Sequence, residues 1–144
     1  MTYSPLLGPI VALVAWTLVM MVWMAATRIP AMRKAGIDLA TRRGGRGANL
    51  EGVLPDEVNW KAHNYQHLLE QPTIFYAIVV VLILMHQDWP INVWLAWGYV
   101  GLRIVHSIVQ ATFNKVKYRS ALFLLGSLCL AGLTVHAAAG LLHG

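Results

Sequence analysis

The chain has 144 residues, of which 58% are hydrophobic and only 12% charged, and its mean hydropathy is +0.58. A soluble domain carries charge on roughly a quarter of its residues, so this composition excludes a water-exposed globule and a disordered chain alike and points to a membrane protein. The formal net charge is +5, from 11 Lys or Arg against 6 Asp or Glu.

Residues 6–26 form a run without a single charge. At about 1.5 Å rise per residue this run covers roughly 30 Å, the hydrocarbon thickness of a bilayer, which predicts a first span over about residues 6–28. A cleaved signal peptide is the competing reading, but no Lys or Arg precedes the run, and a signal h-region is only roughly 7 to 15 residues long. A second span is predicted over about residues 60–86; it runs past Glu70 and Pro72 and ends in the polar break His86, Gln87, Asp88, Trp89 and Pro90. The third follows over about residues 91–114. The fourth, about 119–142, is rich in Leu, Ala and Gly, and its small residues Gly126, Ser127, Ala131 and Gly132 would let another helix backbone approach closely. Six Trp and five Tyr suit anchors at two lipid–water boundaries. The lone Cys129 lies in an apolar run and reads as a buried, inert thiol. No internal repeat interrupts the pattern, so residues 1–144 are expected to form one all-α membrane domain, a four-transmembrane-helix bundle.

All basic residues except Arg103 sit in two connections or at their edges. Arg28, Arg33, Lys34, Arg42, Arg43, Arg46 and Lys61 lie between spans one and two, and Lys115, Lys117 and Arg119 between spans three and four. The connection between spans two and three has none. The positive-inside rule places both basic connections in the cytoplasm and both termini on the opposite face. The charge is therefore a topology signal, and a nucleic-acid partner is not expected, because the basic residues are not interleaved with stacking aromatics. The segment 41–49 is Gly-rich and basic, a flexible loop near anionic headgroups; it lacks the Gly-Lys-Ser/Thr ending of a phosphate loop.

Ionisable side chains inside a bilayer cost on the order of 3 kcal/mol each, so their positions are informative. His63, His67 and Glu70 are spaced i, i+4, i+7 along one helical face, with Asn64 beside them. Pro72 lacks a donor and clashes with the carbonyl of Leu68, which predicts a kink within a turn of Glu70 and a free acceptor there. Spacing alone leaves Glu70 equally a site residue or a strut between helices. On span three, Arg103, His106, Gln110 and Asn114 form a second stripe, with Ser107 adjacent. Arg103 keeps its charge at any relevant pH and must meet an acceptor; Glu70, the only acid inside a predicted span, is the expected partner, in one subunit or across an interface. A zinc site from His63, His67 and His106 is disfavoured because no Cys or second carboxylate completes the set. His136 and His143 are expected at the far interface.

Read in order, these residues resemble the MAPEG family, the membrane-associated proteins in eicosanoid and glutathione metabolism. The stretch Arg103-Ile-Val-His106-Ser107, followed after a basic turn by Arg119-Ser120, resembles the family's Arg-x-x-His-Ser/Thr and the Arg that opens helix four. Glu70-x-Pro72-x-x-Phe75-Tyr76, preceded by Asn64, is similar to the family's helix-two pattern. The resemblance implies a homotrimer, of the bacterial type and in an inner membrane. Glutathione would be co-substrate, held between neighbouring protomers near the cytoplasmic side, with a lipophilic small molecule entering from the bilayer. Carried over residue by residue, it gives Arg119 as the catalytic cation facing the sulfur. The tripeptide set would be Gln66, His67, Glu70, Arg103, His106, Gln110, Asn114 and Ser120, with no metal. The chain departs from the family's enzymes at Gln66 and His67, where they carry Arg and Asn, at Gln110, where they carry Tyr, and at Phe123, where several carry an aromatic hydroxyl.

Two functions follow. One is glutathione-dependent conjugation or peroxide reduction on a lipophilic electrophile, favoured by Arg119, Glu70 and His106. The other is a non-catalytic module that binds a lipid or a partner protein, favoured by Gln66, Gln110 and Phe123. A proton-coupled carrier built on Glu70 and His67 is weaker, because no inverted repeat is visible.

Overall fold

The computed structural model describes residues 2–143, and among these every regular element is helical. Helix α1 spans Leu7–Lys34, α2 Asp56–Leu68, α3 Gln71–Leu84, α4 Pro90–Ala111 and α5 Val116–His143, with a single 3₁₀ turn at Gly47–Leu50. Three segments are long and apolar enough to cross a membrane: Leu7–Lys34, Asp56–Leu84 taken through its break, and Val116–His143. With α4 packed among them the chain is a four-span bundle and a multi-pass integral membrane protein.

The helix ends differ from the ends of the apolar runs. The first expected span stops near residue 28, whereas α1 continues to Lys34. Charge ends a hydrophobic run without ending a helix: Arg33 and Lys34 lie in the last turn, where cations complement the helix dipole. At 28 residues α1 is about 42 Å long, so its last turns stand beyond the hydrocarbon. The second span begins at Asp56 rather than near residue 60, with Asp56 and Glu57 in its first turn. It is also two helices. Glu70 adopts φ −91°, ψ −96° between them, and Pro72 is the second residue of α3, where its missing N–H costs no intrahelical bond. His86 and Asn114, both at positive φ, close the ends of α3 and α4 and turn the chain into the next helix.

Helix α4 is the centre of the bundle. Its inward face carries Asn92, Tyr99, Arg103, His106, Ser107 and Gln110, all buried. Helix α5 packs along its length. Close approach is made possible at Gly132, where a Cβ would sit 3.1 Å from the Leu95 side chain. At the core, Phe75 stacks on Tyr99 with ring centroids 4.4 Å apart, and Leu13 and Met20 of α1 and Leu133 of α5 are fully buried in the same cluster. His136, near the end of α5, is half-buried and pairs with the start of α4: its Nδ1 donates to Oδ1 of the fully buried Asn92, 2.6 Å away.

Truncating a fully buried aromatic costs about 3–5 kcal/mol. Phe75→Ala is therefore expected to lower the thermal unfolding midpoint in detergent clearly, whereas Ile74→Ala, at a position 58% exposed toward lipid, is expected to leave it nearly unchanged. Thermal unfolding of the two purified variants checks this.

Candidate functional site

The break in the second span creates a backbone acceptor inside the bundle, and α4 supplies the donor. The Nη2 group of Arg103, a residue only 1% exposed, donates to the main-chain oxygen of His67 at 3.1 Å and to Nδ1 of the same residue at 3.0 Å. For Nδ1 to accept, the His67 ring carries its proton on Nε2. The expected free acceptor at Leu68 is thus realised one residue earlier, at His67.

The expected pairing of Glu70 with Arg103 does not form within the protomer. Glu70 sits at the break, outside both helices, with its side chain 68% exposed and 4.0 Å from Nε2 of His67. Its departure from helical geometry takes it off the face that His63 and His67 would share on a continuous helix. His63 also turns away, pairing with Glu51 of the preceding loop.

Around Arg103 the rings close in. The imidazoles of His67 and His106 stack with centroids 5.1 Å apart, and Phe123 of α5 lies 5.7 Å from the first and 6.4 Å from the second. The Arg103 guanidinium carbon is 6.0 Å from the centre of the same Phe123 ring. These side chains form the inner wall of a cleft of about 250 Å³ lined by His67, His106, Gln110, Arg119, Ser120 and Phe123.

Five of the nine expected site residues therefore share one cavity. Arg103 lies behind its wall, and Asn114 touches it indirectly: Arg119 Nη1 donates to Asn114 Oδ1 at 2.6 Å, which holds the guanidinium at the start of α5. Gln66 and Glu70 lie outside it, both exposed on the protomer surface. Two supports escaped the sequence. Asn64 donates to Ser107 Oγ at 2.7 Å, tying α2 to α4. The Tyr99 hydroxyl donates to Gln71 Oε1, Gln71 Nε2 to Ser127 Oγ, and Ser127 Oγ to the carbonyl of Phe123, which links α4, α3 and α5 beneath the cleft. Nothing in the spacing of Gln71 and Ser127 marks them, because their partners come from different helices.

Polar atoms are left unpaired behind the cleft. Arg103 Nε and Nη1 are buried without a partner, as are Gln110 Oε1 and Asn64 Oδ1, leaving donors and acceptors unused beside the cleft. Among the described residues no group of three or more His, Cys, Asp or Glu is placed to hold a metal ion.

A model of the MAPEG family matches residues 6–139. The chain belongs to the MAPEG family. Neither the curated proteins nor the solved structures give a match to it. MAPEG proteins are membrane helical bundles that include glutathione transferases and peroxidases. In this member Arg103, His106 and Ser107 sit on the buried face of α4, and Arg119 with Ser120 opens α5 at the cleft.

Arg103 and His67 are expected to be energetically coupled. Residues that share hydrogen bonds deviate from additivity by about 0.5–3 kcal/mol, so Arg103→Gln and His67→Ala combined should destabilise less than the sum of the single changes. A double-mutant cycle by thermal or denaturant unfolding checks this, and simple addition would show that the two side chains do not share an interaction.

Proposed function

We propose that this MAPEG protein is a glutathione-dependent transferase or peroxidase acting on a lipophilic electrophile drawn from the bilayer. The observation that carries the reading is the cleft itself, which gathers His67, His106, Gln110 and Ser120 around Arg119 at the start of α5. A cation fixed at that position, with one Nη anchored on Asn114, favours the ionised form of a thiol placed beside it, because opposite charge in a partly desolvated cleft lowers a thiol pKa. The Arg119 guanidinium, the His67 and His106 imidazoles, the Gln110 amide and the Ser120 hydroxyl, all in the cleft wall, supply the polar contacts that a tripeptide needs. The thiolate would form a C–S bond to an electrophilic carbon as the leaving group departs with its electron pair, or attack a peroxide oxygen, breaking the O–O bond to release an alcohol and leave a sulfenic acid that a second glutathione converts to the disulfide and water.

The same reading includes assembly. Glu70 is 68% exposed within a membrane-crossing segment of one protomer, and an ionisable group facing lipid costs on the order of 3 kcal/mol. A homotrimer that buries Glu70 and Gln66 between copies removes that cost and brings both toward a neighbouring cleft. The Lys and Arg residues flanking α1 and α5 put that end in the cytoplasm and both termini on the other face.

A second reading, a non-catalytic lipid- or partner-binding module, is favoured by one observation: Phe123 presents an apolar ring to the cleft, against His67 and His106, with no hydroxyl to contact a polar ligand.

Thiolate formation and turnover should fall in the order wild type, Arg119→Lys, Arg119→Ala, since Lys keeps the charge but loses the planar donor set. Ultraviolet thiolate absorbance of the glutathione complex, and turnover with an aryl halide or a lipid hydroperoxide, measure it. Unchanged activity in Arg119→Ala would remove Arg119 from catalysis, and absence of glutathione binding in wild type would favour the module. For topology, a cysteine placed at Arg43 should react with a membrane-impermeant reagent only from the cytoplasmic side and one at His86 only from the opposite side; native mass spectrometry should show a trimer.

A further inference from the structure

The loop after α1 builds a second cavity that the proposed reaction does not use. It has a volume of about 260 Å³ and is lined by three arginines, Arg28, Arg42 and Arg46, with no acidic residue in its wall. The glycines make this geometry. Gly44 and Gly45 adopt φ +66° and +100° and turn the chain back over the end of α1. A Cβ at Gly47 would sit 3.2 Å from Arg28 Nη2, and one at Gly45 would sit 3.6 Å from Arg42 Nε, so each guanidinium lies against bare backbone. Arg28 is fixed there by donating from Nη2 to the carbonyl of Gly47 at 3.0 Å. Arg46 is braced by the short turn that follows: its backbone N–H donates to Asn49 Oδ1 at 2.7 Å.

Three guanidinium groups converge without counter-charge. Among the described residues no carboxylate lies within 4.0 Å of any of them. The nearby acids are engaged elsewhere: Asp38 accepts from the Ala40 N–H and the Thr41 hydroxyl, and Glu51 pairs with His63. The Nε of Arg28 is buried with no hydrogen-bond partner. Like charges held together in this way repel unless an anion joins them, and forked guanidinium donors match the oxygens of a phosphate.

We propose that Arg28, Arg42, Arg46 and the backbone of the Gly44–Gly47 loop form a binding site for the phosphate group of an anionic ligand. Two features fit a phospholipid as its source. The charge-free run of α1 ends at Thr27 and Arg28 is its first charge, so Arg28 stands where the hydrocarbon gives way to headgroups, the level at which lipid phosphates lie. Met32 and the buried Leu50 add an apolar side to the same cavity, suited to the glycerol and first methylenes of a lipid.

The experiment uses the full chain in neutral detergent. Short-chain phosphatidylglycerol, short-chain phosphatidylcholine and inorganic phosphate are titrated separately and followed by native mass spectrometry and calorimetry. One phosphatidylglycerol per chain should bind in preference to phosphatidylcholine. The double variant Arg42→Gln with Arg46→Gln, at two exposed positions, should weaken it by about tenfold or more, as expected for the loss of charge-assisted bonds. The variant Arg33→Gln with Lys34→Gln removes the same charge at the same end of α1 but outside the cavity wall, and should bind like wild type. Inorganic phosphate that binds alone and displaces the lipid would identify a soluble phosphate as the source; failure to bind alone would identify the lipid. The site is overturned by equal binding of the two lipids, by unchanged binding in the Arg42 and Arg46 variant, or by an equal loss in the Arg33 and Lys34 variant, which would indicate diffuse surface charge. It is also overturned if the Arg42 and Arg46 variant loses glutathione binding to the same degree, since these arginines would then belong to the tripeptide.

Discussion

A guanidinium that cannot lose its charge, buried within a membrane bundle, has to be met by acceptors or it unfolds the structure around it. Arg103 meets this requirement through a helix break. Pro72 starts a new helix, Glu70 leaves helical geometry, and the carbonyl of His67 keeps only a turn bond from the Glu70 N–H at 3.3 Å, with a lone pair left for a second donor. The guanidinium of α4 donates to that carbonyl and to the imidazole of the same residue. The break and the buried charge each leave polar atoms that would be costly alone, and Nη2 of Arg103 joins them, while its Nε and Nη1 stay unpaired.

The rest of the polar architecture is arranged around this joint. Because Arg103 holds His67, the His67 ring is fixed against His106, and Phe123 of α5 covers both. The hydrogen-bond chain from Tyr99 through Gln71 to Ser127 fixes α3 and α5 on the deeper side, and the Asn64 bond to Ser107 fixes α2 on the shallower side. Arg119, held by Asn114, then stands at the mouth of a cleft whose back wall cannot shift without breaking those bonds. The apolar α1 and α5 face lipid over much of their length, which leaves α4 as the helix whose inward face can carry polar residues.

The features legible in the sequence were those fixed by local chemistry. The charge-free runs marked α1 and α5, the 3.6-residue stripe from Arg103 to Gln110 marked the inward face of α4, and Pro72 marked the interruption. The Gly-rich basic segment was visible as a loop, but the convergence of its arginines with Arg28 depends on the fold. Within one protomer Glu70 is not the partner of Arg103, for a definite reason. Spacing of i, i+4, i+7 puts residues on one face only while the helix continues, and the same proline that predicted a kink takes Glu70 out of that register. One of the two acceptors Arg103 uses is a backbone carbonyl, which no residue pattern records. The bond from His136 to Asn92 was equally invisible, because it joins the end of α5 to the start of a different helix, α4.

The central claim, that Arg103 closes the break in the second span, is most directly tested by solid-state NMR on the lipid-reconstituted protein. Arginine would be labelled with ¹⁵N in its guanidinium, and His67 and Glu70 would be distinguished by selective ¹³C labelling of histidine carbonyls and glutamate carboxyls. The account predicts through-space transfer from the Arg103 guanidinium nitrogens to the His67 carbonyl carbon, lost in Arg103→Gln. Transfer to the Glu70 carboxyl carbon with none to His67 would contradict it.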